Sequence, residues 1–193
     1  MKRFPFLLIS FSLLLAALSF SACGGDDDVN PITFIGRPFG WAIVSVTSDF
    51  QQQTDAAIAA LTDEEIAAAG RTRAEITEAY NTIIARQTNV DDCDLDDGLF
   101  FVDNGEVRVL KGDVICPEAG DPSVLGTFDG NNYITNADAT EMTIRFPGGM
   151  VQSIYTISVL TDGMMELEQR RVVSDTLVGD VRYDISYRLT GSE

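Results

Sequence analysis

The amino-acid sequence predicts a mainly β protein, an eight-stranded antiparallel up-and-down barrel with a helical insertion between strands 1 and 2. From residue 98 onward apolar and polar residues alternate with a period of two, which is typical of strands that bury one face. The connections between these segments are short, which favours antiparallel neighbours. Residues 49–88 instead repeat apolar side chains at helical spacing. Eight strands of this length suit a closed barrel.

The start of the chain has the layout of a secretory signal. A short basic segment precedes an apolar run over residues 4–18, which is shorter than a membrane span requires. A Ser-Ala-Cys sequence that ends at Cys23 then resembles a bacterial lipobox, whose cysteine becomes the lipidated N-terminus. We therefore expect a signal peptide over 1–22, a lipid on Cys23 and a flexible acidic tether over 23–38.

The predicted lipid would determine where the protein resides. We expect it to be anchored through Cys23 to the outer membrane, on the periplasmic or the cell-surface face. An acidic run, Asp26–Asp28, lies close behind the cysteine. This run resembles the surface-export signal of Bacteroidota lipoproteins, and a solvated linker without a signalling role is the alternative.

The predicted barrel domain covers residues 39–191. Its first strand is the apolar segment 41–47, WAIVSVT, and the other strands follow the insertion. One apolar face and one polar face recur in every clear strand, as a barrel with a buried interior requires. The strands expected after the insertion lie near 98–103, 106–111, 124–129, 140–146, 150–160, 164–173 and 181–190.

Capping residues mark the helix boundaries within the insertion 49–88. Thr62 and Thr72 each precede a glutamate by three positions, which is the spacing of a capping box. Gly70 lies where a glycine would end the middle helix. These signals predict helices near 50–61, 63–69 and 73–87.

Two turns that contain glycine set the expected strand registers. A three-residue loop over 161–163 places Ile157 opposite Leu167 and keeps the glutamates of the next strand outward, with Gly163 left-handed. A two-residue turn at Asn104-Gly105 sets the register of the strands on either side of it. It places Phe100 opposite Val109 and directs Phe101 and Arg108 outward.

The two cysteines that remain after Cys23 suggest a disulfide. Cys93 and Cys116 are an even pair in a chain predicted to be exported, where disulfides persist. A two-residue hairpin centred on Asn104-Gly105 places them opposite each other at its open base. Two free buried thiols are the alternative.

Composition excludes several functions. The chain has 30 acidic and 13 basic side chains, no histidine and a net charge of −17. Without histidine it cannot form a Ser-His-Asp or Cys-His site or hold zinc through imidazole, and its charge argues against binding to nucleic acid. The acidic segment 92–98 fails the spacing of an EF-hand, so we interpret it as a solvated turn with no metal. We expect no catalytic residues and no cofactor, and the protein is expected to be a monomer.

Polar side chains on the inward face of the last three strands form a candidate ligand site. If Val173 pairs with Val181, Arg171 lies opposite Tyr183. An arginine beside tyrosine inside a barrel can bind a carboxylate through charge-assisted hydrogen bonds. The alternative is that Arg171 lies at the rim in water. The candidate residues are Ser153, Tyr155, Gln169, Arg171 and Tyr183.

Several of these segments together resemble a known family. The lipobox, WAIVSVT, DCDLDDGLFFVDNGEVRVL, a second cysteine and SVLGTF are similar to the lipocalin-like lipoproteins of Bacteroidota. The resemblance covers residues 41–47 and 91–190 and implies a lipocalin-like (calycin-like) β-barrel. The position of the insertion resembles the helical lid of fatty-acid-binding proteins.

These observations predict a lipid-anchored binding protein. We expect it to bind a small, partly apolar ligand, hydrophobic or carrying a carboxylate, inside the barrel. The alternative is a structural or interaction module whose barrel is filled by side chains. Large inward residues, Trp41, Phe100, Tyr155, Tyr183 and Tyr187, are the candidates to fill it.

Overall fold

The computed structural model describes residues 32–115 and 124–191. The predicted signal peptide, the proposed lipidation site Cys23 and the second predicted disulfide cysteine Cys116 lie outside them. Among the described residues, no helix is long and apolar enough to cross a membrane.

The ordered body begins earlier than the sequence indicates. A short helix, α1 (Ile32–Ile35), forms within the segment assigned to the tether, and the Ile35 side chain is buried. The Trp41 indole nitrogen Nε1 donates a hydrogen bond to the Ile35 carbonyl at 3.0 Å. Because the fully buried Trp41 needs a partner for its N–H, this contact holds α1 against the barrel, which therefore begins before residue 39.

Eight antiparallel strands form a nearly closed barrel, which confirms the predicted fold class. Strands that follow each other in the chain are paired, except the third and the fourth, and the first strand also pairs with the last. The two remaining edges meet at an isolated bridge between Glu106 and Asn132. The strands are β1 (Trp41–Ser48), β2 (Gly98–Phe101), β3 (Val107–Leu110), β4 (Asn132–Thr135), β5 (Glu141–Arg145), β6 (Val151–Leu160), β7 (Met164–Asp175) and β8 (Gly179–Gly191).

The strand predicted near 124–129 is wrong. Val124–Thr127 is a 3-10 helix, and the strand at this place in the barrel is β4, further along the chain. Val124, Leu125 and Phe128 are all buried, whereas a strand would bury alternate residues. The spacing of these side chains therefore fits one turn of helix that packs into the barrel.

The helical insertion follows the prediction closely. Its helices are α2 (Phe50–Ala59), α3 (Asp63–Ala68) and α4 (Arg73–Thr88), and a further short helix, α5 (Asp92–Leu95), precedes β2. Both predicted capping boxes are present, with Glu65 and Glu75 each closing one. Gly70 has a φ of +67°, the left-handed conformation that ends a helix.

The 161–163 turn confirms the predicted faces but not the predicted loop. Ile157 lies opposite Leu167, as expected. The extra residue is absorbed by a bulge between Ile157 and Val159, and the Thr161 amide bonds the Met164 carbonyl across a two-residue turn. Gly163 does not have a positive φ. A bulge within the strand restores the same alternation that a longer loop would have given.

The predicted register of the Asn104-Gly105 hairpin is wrong by one residue. Leu99 lies opposite Val109, and Phe101 lies opposite Val107, with Gly105 at a φ of +84°. A three-residue loop with a left-handed glycine gives this register. It buries both Leu99 and Phe101, whereas the predicted register would have placed Phe100 and Val102 on the inward face instead.

The hairpin register bears on the predicted disulfide. Cys93 lies in α5 and is disulfide-bonded, and its partner is outside the described residues. The predicted position of Cys93 directly opposite Cys116 required a two-residue turn, which the hairpin does not have. The pairing of Cys93 with Cys116 stays a prediction.

Candidate ligand-binding site

The five candidate residues lie on three consecutive strands. Ser153 and Tyr155 belong to β6, Gln169 and Arg171 to β7, and Tyr183 to β8. Arg171 lies directly opposite Tyr183, which confirms the predicted register of the last two strands. All five occupy positions on the face of their strand that points into the barrel.

The guanidinium of Arg171 lies among neutral groups. Its Nε donates a hydrogen bond to the Gln169 amide oxygen at 2.6 Å. Burial by itself lowers the pKa of Arg171, but the phenols of Tyr187, Tyr155 and Tyr183 raise it, and the net pKa lies above its ordinary value. None of the ion pairs within residues 32–115 and 124–191 includes Arg171. The arginine is therefore charged, partly buried and not paired with any carboxylate of the described residues.

Aromatic rings fill the barrel next to this arginine. The rings of Phe128 and Tyr155 stack with centroids 5.4 Å apart, and Tyr187 meets both edge-on at 5.8 and 5.9 Å. Tyr155, Tyr187 and the more distant Trp41 are buried, as the filled-barrel alternative expects, whereas Phe100 points outward. Burial raises the pKa of Tyr187, so its phenol remains a hydrogen-bond donor at ordinary pH.

Helices α2 and α4 cover the side of the site formed by β8. The Phe50 ring stacks on Tyr183 with centroids 4.2 Å apart, and the Tyr183 hydroxyl donates to the Gln87 amide oxygen at 2.8 Å. An ion pair joins Arg71 to Asp175 at the end of β7, at 3.8 Å. These contacts attach the insertion to the barrel beside the candidate site.

Strands β6 and β7 pair with each other over only part of their length. Paired residues run from Thr156 and Glu168 to Leu160 and Met165. The rest of the two strands, residues 151–155 of β6 and 169–175 of β7, has no ladder pairs between them, and we call this region the seam. Of its inward-facing side chains Tyr155 is buried, but Ser153, Gln169, Arg171 and Val173 are partly exposed, whereas Ile157, Met165 and Leu167 in the paired part are buried.

The acidic segment before β2 is not the solvated turn predicted from the sequence. Asp94 and Asp97 are buried. The Asp94 carboxylate accepts a hydrogen bond from the Val124 amide at 3.0 Å, and the Asp97 carboxylate accepts from the Gly112 amide at 3.0 Å. Lys111 bonds Asp97 at 2.6 Å. These carboxylates tie the residues after β3 to α5, and no cluster within the described ranges has the makeup of a metal site.

Two grooves on the described surface lie outside the barrel. One, of about 1120 Å³, separates α2 from the outer face of β7 and β8, and the other, of about 480 Å³, lies between α2 and the start of β8. The Arg170 guanidinium forms a two-pronged pair with Asp184 in the first groove, at 2.9 and 3.0 Å. Arg170 thus has a carboxylate partner on the outer face of β7 and β8.

Sequence reasoning missed two members of the site. Tyr187 was considered only as filling, although it lies near the Arg171 guanidinium. Gln87 is the second, and its bond to Tyr183 joins positions that are 96 residues apart. The alternation in β8 could have identified Tyr187, but no local signal could have identified Gln87.

Comparison with family models, with curated proteins and with solved structures found no match to the chain.

Proposed function

We propose that this protein is an exported, lipid-anchored barrel that binds a small, partly apolar ligand through an anionic group at Arg171. The observation that carries the proposal is an inward-facing arginine that pairs with no carboxylate of the described residues, although the chain is strongly acidic. Removing a guanidinium from water without an opposite charge costs free energy. A ligand anion would supply the missing charge.

The groups around Arg171 favour a carboxylate or a similar anion. Ser153 can donate a hydroxyl hydrogen bond, and a guanidinium can donate two parallel bonds to one carboxylate. Gln169 already accepts from Arg171, which orients the guanidinium, and Tyr183, whose hydroxyl donates to Gln87, lies opposite Arg171. Donors on β6 and β7 thus converge on one region, as specific recognition of an anion requires.

The lipid anchor is proposed from the sequence. The apolar run and the lipobox-like sequence that ends at Cys23 support it. A lipid there would place the barrel at a membrane, in the oxidising compartment where the disulfide of Cys93 persists. Labelling cells with radioactive palmitate tests this part, because the wild-type chain should become labelled and the Cys23→Ser variant should not.

Calorimetric titration with dodecanoate tests the binding proposal. We expect the wild-type protein to bind dodecanoate, and the Arg171→Gln variant to bind it at least ten times more weakly, because the charge of the guanidinium is lost. Dodecanol, which has no charge, should bind the wild-type protein no more tightly than the variant binds dodecanoate.

Arg188 provides the matched control. It points outward on β8, opposite Glu166 and away from the unpaired part of β7, so Arg188→Gln should change dodecanoate affinity less than twofold. Circular dichroism would establish that both variants are folded. Equal dodecanoate affinity in Arg171→Gln and wild-type protein would reject the anion site.

The filled interior supports a second candidate function. The stacked rings of Phe128, Tyr155 and Tyr187 occupy the barrel, as in a structural or interaction module without a ligand. Native mass spectrometry of the protein from its own host discriminates between the two. A co-purified small molecule would support the binding protein, and a bare chain that also fails to take up dodecanoate would support the module.

A further inference from the structure

We infer that the ligand is an anionic amphiphile whose head group enters through the seam between β6 and β7 and whose apolar tail lies on the outside of the barrel. This inference rests on the proposed anion site at Arg171. It goes further because it names the entrance, the ligand class and the surface that holds the tail.

The seam is where the barrel wall lacks strand pairing. Ladder pairs join β6 and β7 only between Thr156 and Leu160, opposite Met165 to Glu168. Arg171 and Gln169 lie beyond the last pair, on the β7 edge of the seam, and Ser153 lies on its β6 edge. All three point inward and are nevertheless partly exposed. Solvent therefore reaches the polar cluster from the side of the barrel.

The opposite side of the cluster is covered. Tyr183, which pairs with Arg171, is only 3% exposed because Phe50 stacks on its ring and Gln87 accepts a hydrogen bond from its hydroxyl. Across the site, Tyr155 is 1% exposed. A ligand thus has a direct path to Arg171 along the seam, whereas the path from β8 requires the helical insertion to move.

The outer face of the seam carries three exposed aliphatic side chains beside Arg170 and Ser174. Val151 and Ile154 on the β6 edge and Val172 on the β7 edge are 49%, 52% and 51% exposed. Groups of exposed aliphatic side chains mark binding surfaces, and we take these three as such a group. Two arginines border them, since Arg145 pairs with Val151 and Arg182 pairs with Val172. We call Val151, Ile154 and Val172 the outer patch.

The filled interior places the tail on the outer patch. Phe128, Tyr155 and Tyr187 occupy the space beyond Arg171, so an alkyl chain would have to displace buried rings to enter it. The outer patch begins one residue from Arg171, at Val172, and offers apolar contact without displacing any ring. A head group at Arg171 and a tail on the outer patch therefore fit a single amphiphile.

The dependence of affinity on chain length tests the position of the tail. The wild-type protein should bind dodecanoate much more tightly than hexanoate, because each buried methylene adds to the affinity. In the double variant Ile154→Ser with Val172→Ser, the ratio of the two affinities should fall at least tenfold, while hexanoate affinity changes less than threefold. Val44→Ser is the control, since Val44 is 48% exposed on β1, away from the seam, and its ratio should equal that of the wild type.

A second measurement locates the tail without any substitution. Dodecanoate with a nitroxide at the end of its chain should broaden the NMR methyl signals of Val151, Ile154 and Val172. Broadening confined to interior methyl groups, such as those of Ile157 and Leu167, would overturn the inference. If the ratio of dodecanoate to hexanoate affinity were the same in the double variant as in the wild type, the inference would also be overturned. Loss of dodecanoate binding in Arg171→Gln would then still support the anion site. If the wild-type protein bound neither fatty acid, the proposed function would be rejected as well.

Discussion

Strands β6 and β7 have two regions that differ in pairing and in chemistry. Near the 161–163 turn they pair, and their inward side chains Ile157, Met165 and Leu167 are apolar and buried. In the seam they do not pair, and the inward side chains include Gln169 and Arg171, which are polar and partly exposed. The same two strands thus provide a sealed wall at one end and an open, polar edge at the other.

This difference indicates that stability and function are carried by different parts of one hairpin. A closed apolar wall lowers the free energy of the fold through burial, whereas an unpaired edge with a charged inward residue lowers stability. Proteins retain such unfavourable features mainly where binding requires them. Substitutions in the paired region should therefore lower stability with little direct effect on binding, whereas substitutions in the seam should weaken binding with little effect on stability.

The largest effect is expected in the paired region. Leu167→Ala removes a fully buried side chain opposite Ile157 and leaves a cavity, which should lower the free energy of unfolding by about 2–5 kcal/mol. Urea denaturation followed by circular dichroism measures this. Val172→Ala in the seam is the matched control, because Val172 is half exposed, and its loss should be below about 1 kcal/mol. Similar losses for both variants would show that the two regions do not differ in packing.

A smaller effect is expected where the site meets the helices. Tyr183→Phe keeps the ring that stacks on Phe50 and removes the hydroxyl that donates to Gln87. The free energy of unfolding should fall by about 1 kcal/mol, the net contribution of one hydrogen bond. Gln87→Met should have a similar effect, and the double variant should lose less than the sum of the two. Additive losses would mean that the bond does not link the insertion to β8.

The agreement between sequence and structure depends on how local the determining interaction is. The capping boxes at Thr62 and Thr72 and the left-handed Gly70 follow from neighbouring residues, and the structure has them all. The Arg171–Tyr183 pairing follows from strict alternation over two long strands. Such signals can be interpreted without tertiary information.

Other features depend on contacts that the sequence does not reveal. The Asn104-Gly105 turn allowed two registers, and the burial of Phe101 selected the one with a three-residue loop. Asp94 was assigned to solvent because its partner, the Val124 amide, is 30 positions away. The seam was also missed, since alternation continues through β6 and β7 whether or not they pair with each other.

The smallest effect on stability is expected for the residue with the largest effect on binding. Arg171→Met removes a partly buried charge that has no carboxylate partner, and it also removes the hydrogen bond to Gln169. Because the desolvation cost and the lost bond offset each other, the free energy of unfolding should change by less than about 1 kcal/mol. Denaturation in urea without added fatty acid measures this change, and dodecanoate should then stabilise the wild-type protein but not the variant. A loss as large as that of Leu167→Ala would mean that Arg171 is a structural residue, and the seam would then be part of the core rather than a binding edge.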